Sequence, residues 1–291
     1  MFKADSFDFD FMKLRRYAII LSTVLLIASI GLLLTRGLNL GIDFAGGNLL
    51  QISFAENVNV SEMREALADA GQENAVIQAY EDNSFIIRIK ADAESVRKEV
   101  LTVLRSNFDG LELLRFEKVG PAIGSQMRTD AVIAVLLALA GILIYITVRF
   151  QFRFAIASVI ALLHDSIITL GFFSLTGREI SLPFVAAILT LVGYSLNDTI
   201  VVLDRVRENW KNLKKWGIVR LMNNSINRTL SRTINTSLTT FFPVLAFFIF
   251  GGPVLANFSI ALLIGIIVGT YSSIYVAGTV LSEWYSKKPQ N

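Results

Sequence analysis

The chain has 291 residues, of which 53% are apolar and 18% charged, with a mean hydropathy of +0.56. A soluble domain carries roughly 25% charged residues, so this composition excludes a disordered chain and points to an integral membrane protein. There is no Cys and a single His, which excludes disulfides, thiol chemistry and a multi-histidine metal site. The net charge is only +3, and in a membrane protein the placement of charge says more than its sum.

A crossing helix needs roughly 20 mostly apolar residues to cover about 30 Å of hydrocarbon. Residues 1–16 are basic, with Lys3, Lys13, Arg15 and Arg16. Tyr17 to Thr35 follows as the first predicted span. It reads as an uncleaved anchor, because its apolar run outlasts a signal peptide's and no small-x-small site closes it.

Residues 36–130 are soluble in character and carry an excess of acids. Strands are predicted over Gly47 to Phe54, Ala75 to Tyr80, Ser84 to Lys90 and Leu111 to Val119. In the third of these Phe85, Ile87 and Ile89 alternate with Ile86, Arg88 and Lys90, after a turn at Asp82-Asn83. Helices are predicted over Val60 to Ala70, with Ser61 as its cap, and over Asp92 to Asn107, with Val96, Val100, Leu101 and Leu104 on one face. The order βαββαβ is that of an α+β, ferredoxin-like domain. Its acids are scattered and form no catalytic constellation. They read as a solvated surface or as a surface for another protein.

Residues 131–282 hold five more spans. The second is Ala131 to Val148, and the third, Phe154 to Thr176, is interrupted by His164 and Asp165. The fourth, Leu182 to Leu203, is interrupted by Asp198. A basic loop over 204–231 contains Trp210 and Trp216 and suits an amphipathic helix on anionic headgroups. Topology alone accounts for its charge, so it gives no reason to invoke nucleic acid. From Arg232 to Glu283 no charge appears. That stretch of about 50 residues is too long for one crossing at 1.5 Å per residue. Gly251-Gly252-Pro253 marks a turn within it, giving spans Ile234 to Phe250 and Leu255 to Ser282. A tail over 283–291 ends the chain with Lys287 and Lys288. The expected fold is therefore an α-helical integral membrane protein with six transmembrane helices and one α+β domain after the first. Every basic cluster falls on one side of this scheme. The positive-inside rule makes that side cytoplasmic, with both termini on it and residues 36–130 outside.

Ionisable residues within spans are the strongest functional pointers, since an Asp at the centre of a crossing helix costs roughly 2.5–3.5 kcal/mol. Asp198 and Arg232 flank the same cytoplasmic loop, so they can meet inside the bundle. A carboxyl there is charged or neutral according to how near a guanidinium lies, and movement of Arg232 would switch it. Asp165 and His164 are candidates for the same proton relay, a free imidazole titrating near 6.5. Asn197 and Thr199 are candidate supporting groups. The plainer reading stays open: an Asp–Arg pair that holds helices, Ser195, Asn197 and Thr199 as interhelical glue, a snorkelling Arg232 and a satisfied interior His164. Ala261, Gly265, Gly269, Ser273 and Ala277 place a small residue at every fourth position. That stripe admits a close helix, internal or from a partner.

Five ordered motifs then carry a resemblance. They are Gly41-Ile42-Asp43-Phe44-Ala45-Gly46-Gly47, Val119-Gly120-Pro121-Ala122-Ile123-Gly124, Leu163-His164-Asp165, the run from Val192 to Asn209 around Asn197-Asp198-Thr199, and Ser231-Arg232-Thr233-Ile234-Asn235-Thr236-Ser237. Together they resemble the SecF type of the bacterial SecD/SecF protein-export family, essentially over the whole chain. The resemblance implies a fold of the resistance-nodulation-division (RND) type in the bacterial inner membrane. It implies action with SecD, beside the SecY-E-G channel, in which the proton motive force helps to draw a preprotein across the lipid bilayer. It implies no cofactor beyond that gradient. It puts the proton-pathway roles on Asp198 and Arg232, and gives Asp165 less support. The chain has only one of the two halves that some bacteria fuse, so SecD must supply the other. Two further classes remain in view, a small-molecule RND exporter subunit and a purely structural assembly subunit. A hydrolytic enzyme is disfavoured, since there is no Walker loop, metal cluster or nucleophile motif.

Overall fold

The computed structural model describes residues 9–81, 83–90 and 94–286. The sequence features assigned to Lys3, Asp82, Asp92, Lys287 and Lys288 lie outside these. A short 3-10 turn, Phe11–Leu14, leads into helix α1, Arg15–Thr35. Then come β1 (Asn39–Leu40), the one-turn α2 (Ile42–Ala45), β2 (Gly47–Ser53), α3 (Val60–Asp69), β3 (Val76–Glu81), β4 (Ser84–Ile89), α4 (Glu94–Asn107) and β5 (Glu112–Val119). The rest is α5 (Pro121–Arg149), α6 (Phe152–Thr176), β6 (Glu179–Ile180), α7 (Leu182–Glu208), α8 (Leu213–Phe250) and α9 (Gly252–Ser286).

Strands β2 to β5 form one antiparallel sheet in the order β3-β4-β2-β5. One face packs on α3 and α4 through Leu50, Ile52, Ile87 and Ile89 against Met63, Leu67, Val100 and Leu104. The other face of β4 is covered too. Ile86 is 3% exposed, and Arg88, on the same face, forms a 3.4 Å ion pair with Glu179 of β6. Simple alternation therefore understates the burial of β4. The cap of α3 also differs from expectation. Asn59, not Ser61, closes it, with Glu62 returning a bond to the Asn59 N–H. Ser61 already lies inside the helix, where it donates its N–H to the Asn59 side chain.

Two glycines set the start of the sheet. Gly46 and Gly47 have φ of +77° and +139°, values that L side chains rarely adopt. A Cβ on Gly46 would stand 3.1 Å from the Pro121 backbone, and one on Gly47 would strike the Ile89 carbonyl. The sheet is tied to the helices by a second, two-residue ladder in which β1 pairs in parallel with β6, extended by Gly41 N–H donating to the Ile180 carbonyl at 2.8 Å.

Among the described residues, five helical stretches are long and apolar enough to cross a membrane: 11–35, 121–149, 152–176, 182–250 and 255–286. The fourth, of 69 residues, would run about 100 Å as one helix. It is broken by a 3-10 turn at Asn209–Asn212 and by Gly217, whose φ is +71°. The chain is thus a mostly helical, multi-pass membrane protein. Helix α5 starts at Pro121, ahead of the expected span, because Pro is pre-shaped for a first turn and the polar Gln126, Arg128 and Asp130 fill its opening turns.

The basic segment before the fifth expected span does not turn its apolar face outward. Leu221, Met222, Ile226 and Leu230 are buried against Val202 and Val206 of α7, Leu281 of α9, and Phe11 and Met12. Arg220 and Arg228 stay exposed. The apolar face of this amphipathic segment is therefore occupied by its own chain. The N-terminal turn is clamped there by amides: Asn227 exchanges two bonds with the Phe9 backbone, and Asn223 accepts from the Met12 N–H at 2.9 Å. Trp210 packs on Phe154 and Tyr285 at ring distances of 5.8 and 4.7 Å.

Candidate functional site

Helices α6, α7 and α9 form the centre of the bundle, and their contact depends on small residues. A Cβ on Gly265 would strike the Leu191 side chain, and one on Gly269 would stand 3.1 Å from Ser195. Ala261 and Ala277, from the same stripe, are fully packed at 2% and 0% exposed. This close approach brings hydroxyls of α7 and α9 onto α6.

Asp165 is the focus of the first cluster and is completely buried. Its Oδ2 accepts from Ser195 Oγ at 2.6 Å and from Ser272 Oγ at 2.8 Å. Its Oδ1 lies 2.9 Å from His164 Nδ1. The other ring nitrogen, Nε2, is 3.2 Å from Ser22 Oγ of α1, which is 3.0 Å from Tyr271 Oη. Tyr271 Oη in turn donates to the Ala18 carbonyl at 2.7 Å. Asp165 is held by short, well-directed bonds on every side.

Asp198 is 1% exposed and is held differently. Thr236 Oγ1 lies 3.2 Å from Oδ1 and Ser237 Oγ 3.4 Å from Oδ2. Both donors are shared. Thr236 also faces the Arg232 carbonyl at 3.0 Å, and Ser237 meets Thr270 Oγ1 at 2.7 Å. A buried carboxyl with two long, divided contacts is loosely held. Arg232 stands one helical turn before Thr236 and is exposed. It forms no ion pair within 4.0 Å with Asp198 among the described residues.

The remaining sequence candidates divide. Thr199 Oγ1 is buried and bonds Ser273 Oγ at 2.9 Å, and Ser273 donates to the Gly269 carbonyl at 2.8 Å. Asn197 is exposed and is not among the hydrogen-bond partners of either carboxylate. Sequence reasoning missed Ser22, Thr236, Ser237, Thr270, Tyr271 and Ser272. The available signal was their clustering: α9 carries Thr270-Tyr271-Ser272-Ser273 inside an otherwise apolar run.

The match to the family model described as protein export membrane protein SecD/SecF, C-terminal, covers residues 99–287, and a second model, the SecD/SecF GG motif, covers 31–58. The chain is 45% identical over 285 residues to the protein translocase subunit SecF of Desulfurispirillum indicum, covering 94% of this chain and 91% of that protein. It is 41% identical to the protein translocase subunit SecF of Pseudomonas aeruginosa, covering 94% and 90% of the two chains. The crystal structure of SecDF from Thermus thermophilus, a translocon-associated membrane protein, superposes with a TM-score of 0.88 at 41% identity. That superposition takes in 99% of this chain but only 40% of SecDF. With a family model spanning most of its length and full-length relatives above 40% identity, the chain belongs to the SecD/SecF family of protein-export membrane proteins.

Proposed function

We propose that this chain is the SecF-like half of a proton-driven motor for protein export. On this reading a separate SecD supplies the other half. The two act beside the SecY-E-G channel to promote the late translocation and release of preproteins, and the proton gradient is the energy source. SecDF carries in one chain the part this protein matches and a larger remainder, which supports a second polypeptide here.

The topology that fits has six crossings, the broken 182–250 stretch counting as two. Spans one to six run over 17–35 and within 131–282, and residues 36–130 lie in the periplasm. The strand order β3-β4-β2-β5, with α3 and α4 on one face, supports a ferredoxin-like reading of this domain. The cations on 1–16, 204–231 and 283–291 support an orientation with both termini in the cytoplasm, and on this reading the membrane is the bacterial inner membrane.

The observation that carries the reading is the contrast at Asp198: a buried carboxyl, loosely held, with the Arg232 guanidinium one turn along the facing helix and outside ion-pair distance. Such a carboxyl can exchange its hydroxyl contacts for Arg232, and the exchange is what proton binding and release would govern. Asp165 and His164 serve as the tightly held second station. Thr199, Ser273, Gly265 and Gly269 keep α7 and α9 in register, and Asn197 faces the missing half.

Inverted vesicles carrying this chain with its SecD partner test the proposal. Late-stage preprotein export is followed with and without a proton gradient, for wild type and Asp198→Asn. The expected result is loss of the gradient-dependent component while both subunits still co-purify. Unchanged export in the variant would make the Asp198 cluster structural and leave the chain an assembly subunit.

A further inference from the structure

A cleft of about 860 Å³ opens between α1, α6 and α9. Among its apolar neighbours it is lined by Ser22, His164, Tyr275, Thr279 and Glu283. On α9, Tyr271, Tyr275, Thr279 and Glu283 recur at every fourth residue, the spacing that stacks side chains on one helix face. They draw a polar line from the end of α9 to the His164–Asp165 pair. At the outer end Glu283 lies 3.7 Å from Arg15. Midway, Thr279 is 4% exposed and its Oγ1 has no hydrogen-bond partner among the described residues. A buried hydroxyl left unpaired is costly, about 1–3 kcal/mol, and an ordered water is the usual remedy.

The donors at the inner end can be assigned from the acceptors. The Ala18 carbonyl takes the single Tyr271 hydroxyl proton. Ser22 must then donate to Tyr271 Oη, and His164 must present Nε2–H to Ser22. One proton is left for the 2.9 Å gap between His164 Nδ1 and Asp165 Oδ1. Both Asp165 Oδ2 contacts are donated by serines, so that proton can sit on either side of the gap without breaking another bond.

We propose that this cleft is a water-filled half-channel through which protons pass between the Glu283 end of the bundle and Asp165, by way of Ser22 and His164. This rests on the proton-coupled reading above and supplies its route. The inward step starts from the state one proton poorer, with His164 protonated on Nδ1, its Nε2 bare and Asp165 ionised. Ser22 turns its hydroxyl from Tyr271 to Nε2, passes its proton there and regains one from cleft water, while His164 Nδ1–H goes to Asp165 Oδ1. One proton leaves the water, one arrives on the carboxylate, and His164 ends neutral as the Nε2–H tautomer that donates to Ser22. Tyr271 is a positioning residue that accepts from Ser22 in that final arrangement and holds its oxygen against Nε2.

The chain has no cysteine, so single cysteines report cleanly. Thr279→Cys and, as a lipid-facing control, Leu21→Cys (Leu21 is 50% exposed) are treated in the two-subunit inverted vesicles with a charged, membrane-impermeant methanethiosulfonate. The expected result is rapid modification of Thr279→Cys and none of Leu21→Cys. If both are inert, a lipid tail fills the cleft and the proposal falls. In the same vesicles Ser22→Ala is expected to lower gradient-dependent export at least tenfold, and Ser22→Thr, which keeps the hydroxyl, to restore it. Asp198→Asn separates the two claims. If it abolishes the gradient-dependent component while Ser22→Ala leaves it intact, only the half-channel is overturned. If neither variant has an effect, the proton reading fails and takes the half-channel with it.

Discussion

Asp43 and Leu182 lie 139 positions apart, yet the Asp43 carboxylate accepts a 2.8 Å hydrogen bond from the Leu182 backbone N–H. Ser181, the residue at the cap position of α7, makes no side-chain cap. The open N-terminus of the helix that carries Asp198 is therefore closed from α2, by a residue of the glycine-rich motif after α1. Loss of a helix cap costs about 0.5–2 kcal/mol, and a carboxylate at a helix N-terminus adds the dipole term. Asp43→Ala should lower the thermal midpoint of the detergent-solubilised protein by that scale. Asp43→Asn, which keeps an acceptor but not the charge, should fall between. Equal loss in both would assign the whole effect to charge.

The Arg88–Glu179 pair is the second bolt between sheet and bundle, and it should be pH-sensitive. Burial holds the Glu179 carboxyl above its ordinary range, opposed by Arg88, reinforced by Asp43 and opposed again by Lys90. An acid whose pKa is raised on folding binds more protons when folded, so its contribution falls as pH rises from the ordinary carboxylate range through the raised value. Removing Arg88 removes the main opposing charge and deepens that loss. Arg88→Met should loosen the β1–β6 ladder by about 3 kcal/mol at pH 8, the scale of an orphaned buried charge, and by less at pH 5. Hydrogen exchange at the Gly41 amide, bonded to the Ile180 carbonyl, reads this directly. An equal effect at both pH values would show that Arg88 acts by packing alone.

How far the sequence carried this picture depends on what kind of signal each feature leaves. Asp165, Asp198 and His164 were visible because one ionisable group in an apolar run is conspicuous. Ser22, Ser272, Thr236 and Ser237 were not, because hydroxyls are inexpensive in helices and occur in every span. The depth of Arg232 was not readable either. The loop fixes the side from which it enters, but Asp198 lies level with Thr236 and Ser237, one turn further along the same face of α8. Strands β1 and β6 have two residues each, too few for any periodicity. By contrast β2 to β5 and their two helices have ordinary lengths and alternation, and their order along the chain was plain.

The glycine stripe gives a packing prediction. A methyl on Gly265 would collide with the Leu191 side chain, whereas one on Gly269 would meet Ser195 at 3.1 Å, a tight but not impossible distance. Overpacking of this kind costs about 1–3 kcal/mol. Gly265→Ala should therefore destabilise α7–α9 packing more than Gly269→Ala does. Leu191→Ala should recover most of the Gly265→Ala loss by vacating the space. A double-mutant cycle on detergent melting measures the coupling, and independent, additive losses would show that the two residues do not share the contact.

Asp165 allows the structural and the protonic roles of a buried carboxyl to be separated. Asn is isosteric with it. Its side-chain oxygen can accept from Ser195 and Ser272, which now meet Asp165 at 2.6 and 2.8 Å, and its amide can donate to His164 Nδ1. With His164 donating from Nε2 to Ser22, every bond in the cluster survives. Asp165→Asn should therefore assemble and melt like the wild type, while gradient-dependent export falls because the group can no longer take up or release a proton. Asp165→Leu is a different experiment. It orphans the Ser195 hydroxyl and one imidazole nitrogen in the centre of the bundle and leaves Ser272 only its longer 3.2 Å contact to the Gly269 carbonyl, at about 1–3 kcal/mol for each unpaired group, and should impair assembly. The decisive comparison is between the two variants in the same vesicles. If Asn matches wild type in export as well as in stability, Asp165 holds α6, α7 and α9 together and carries no proton. If Asn assembles normally and loses only the gradient-dependent component, titration of this carboxyl is part of the drive.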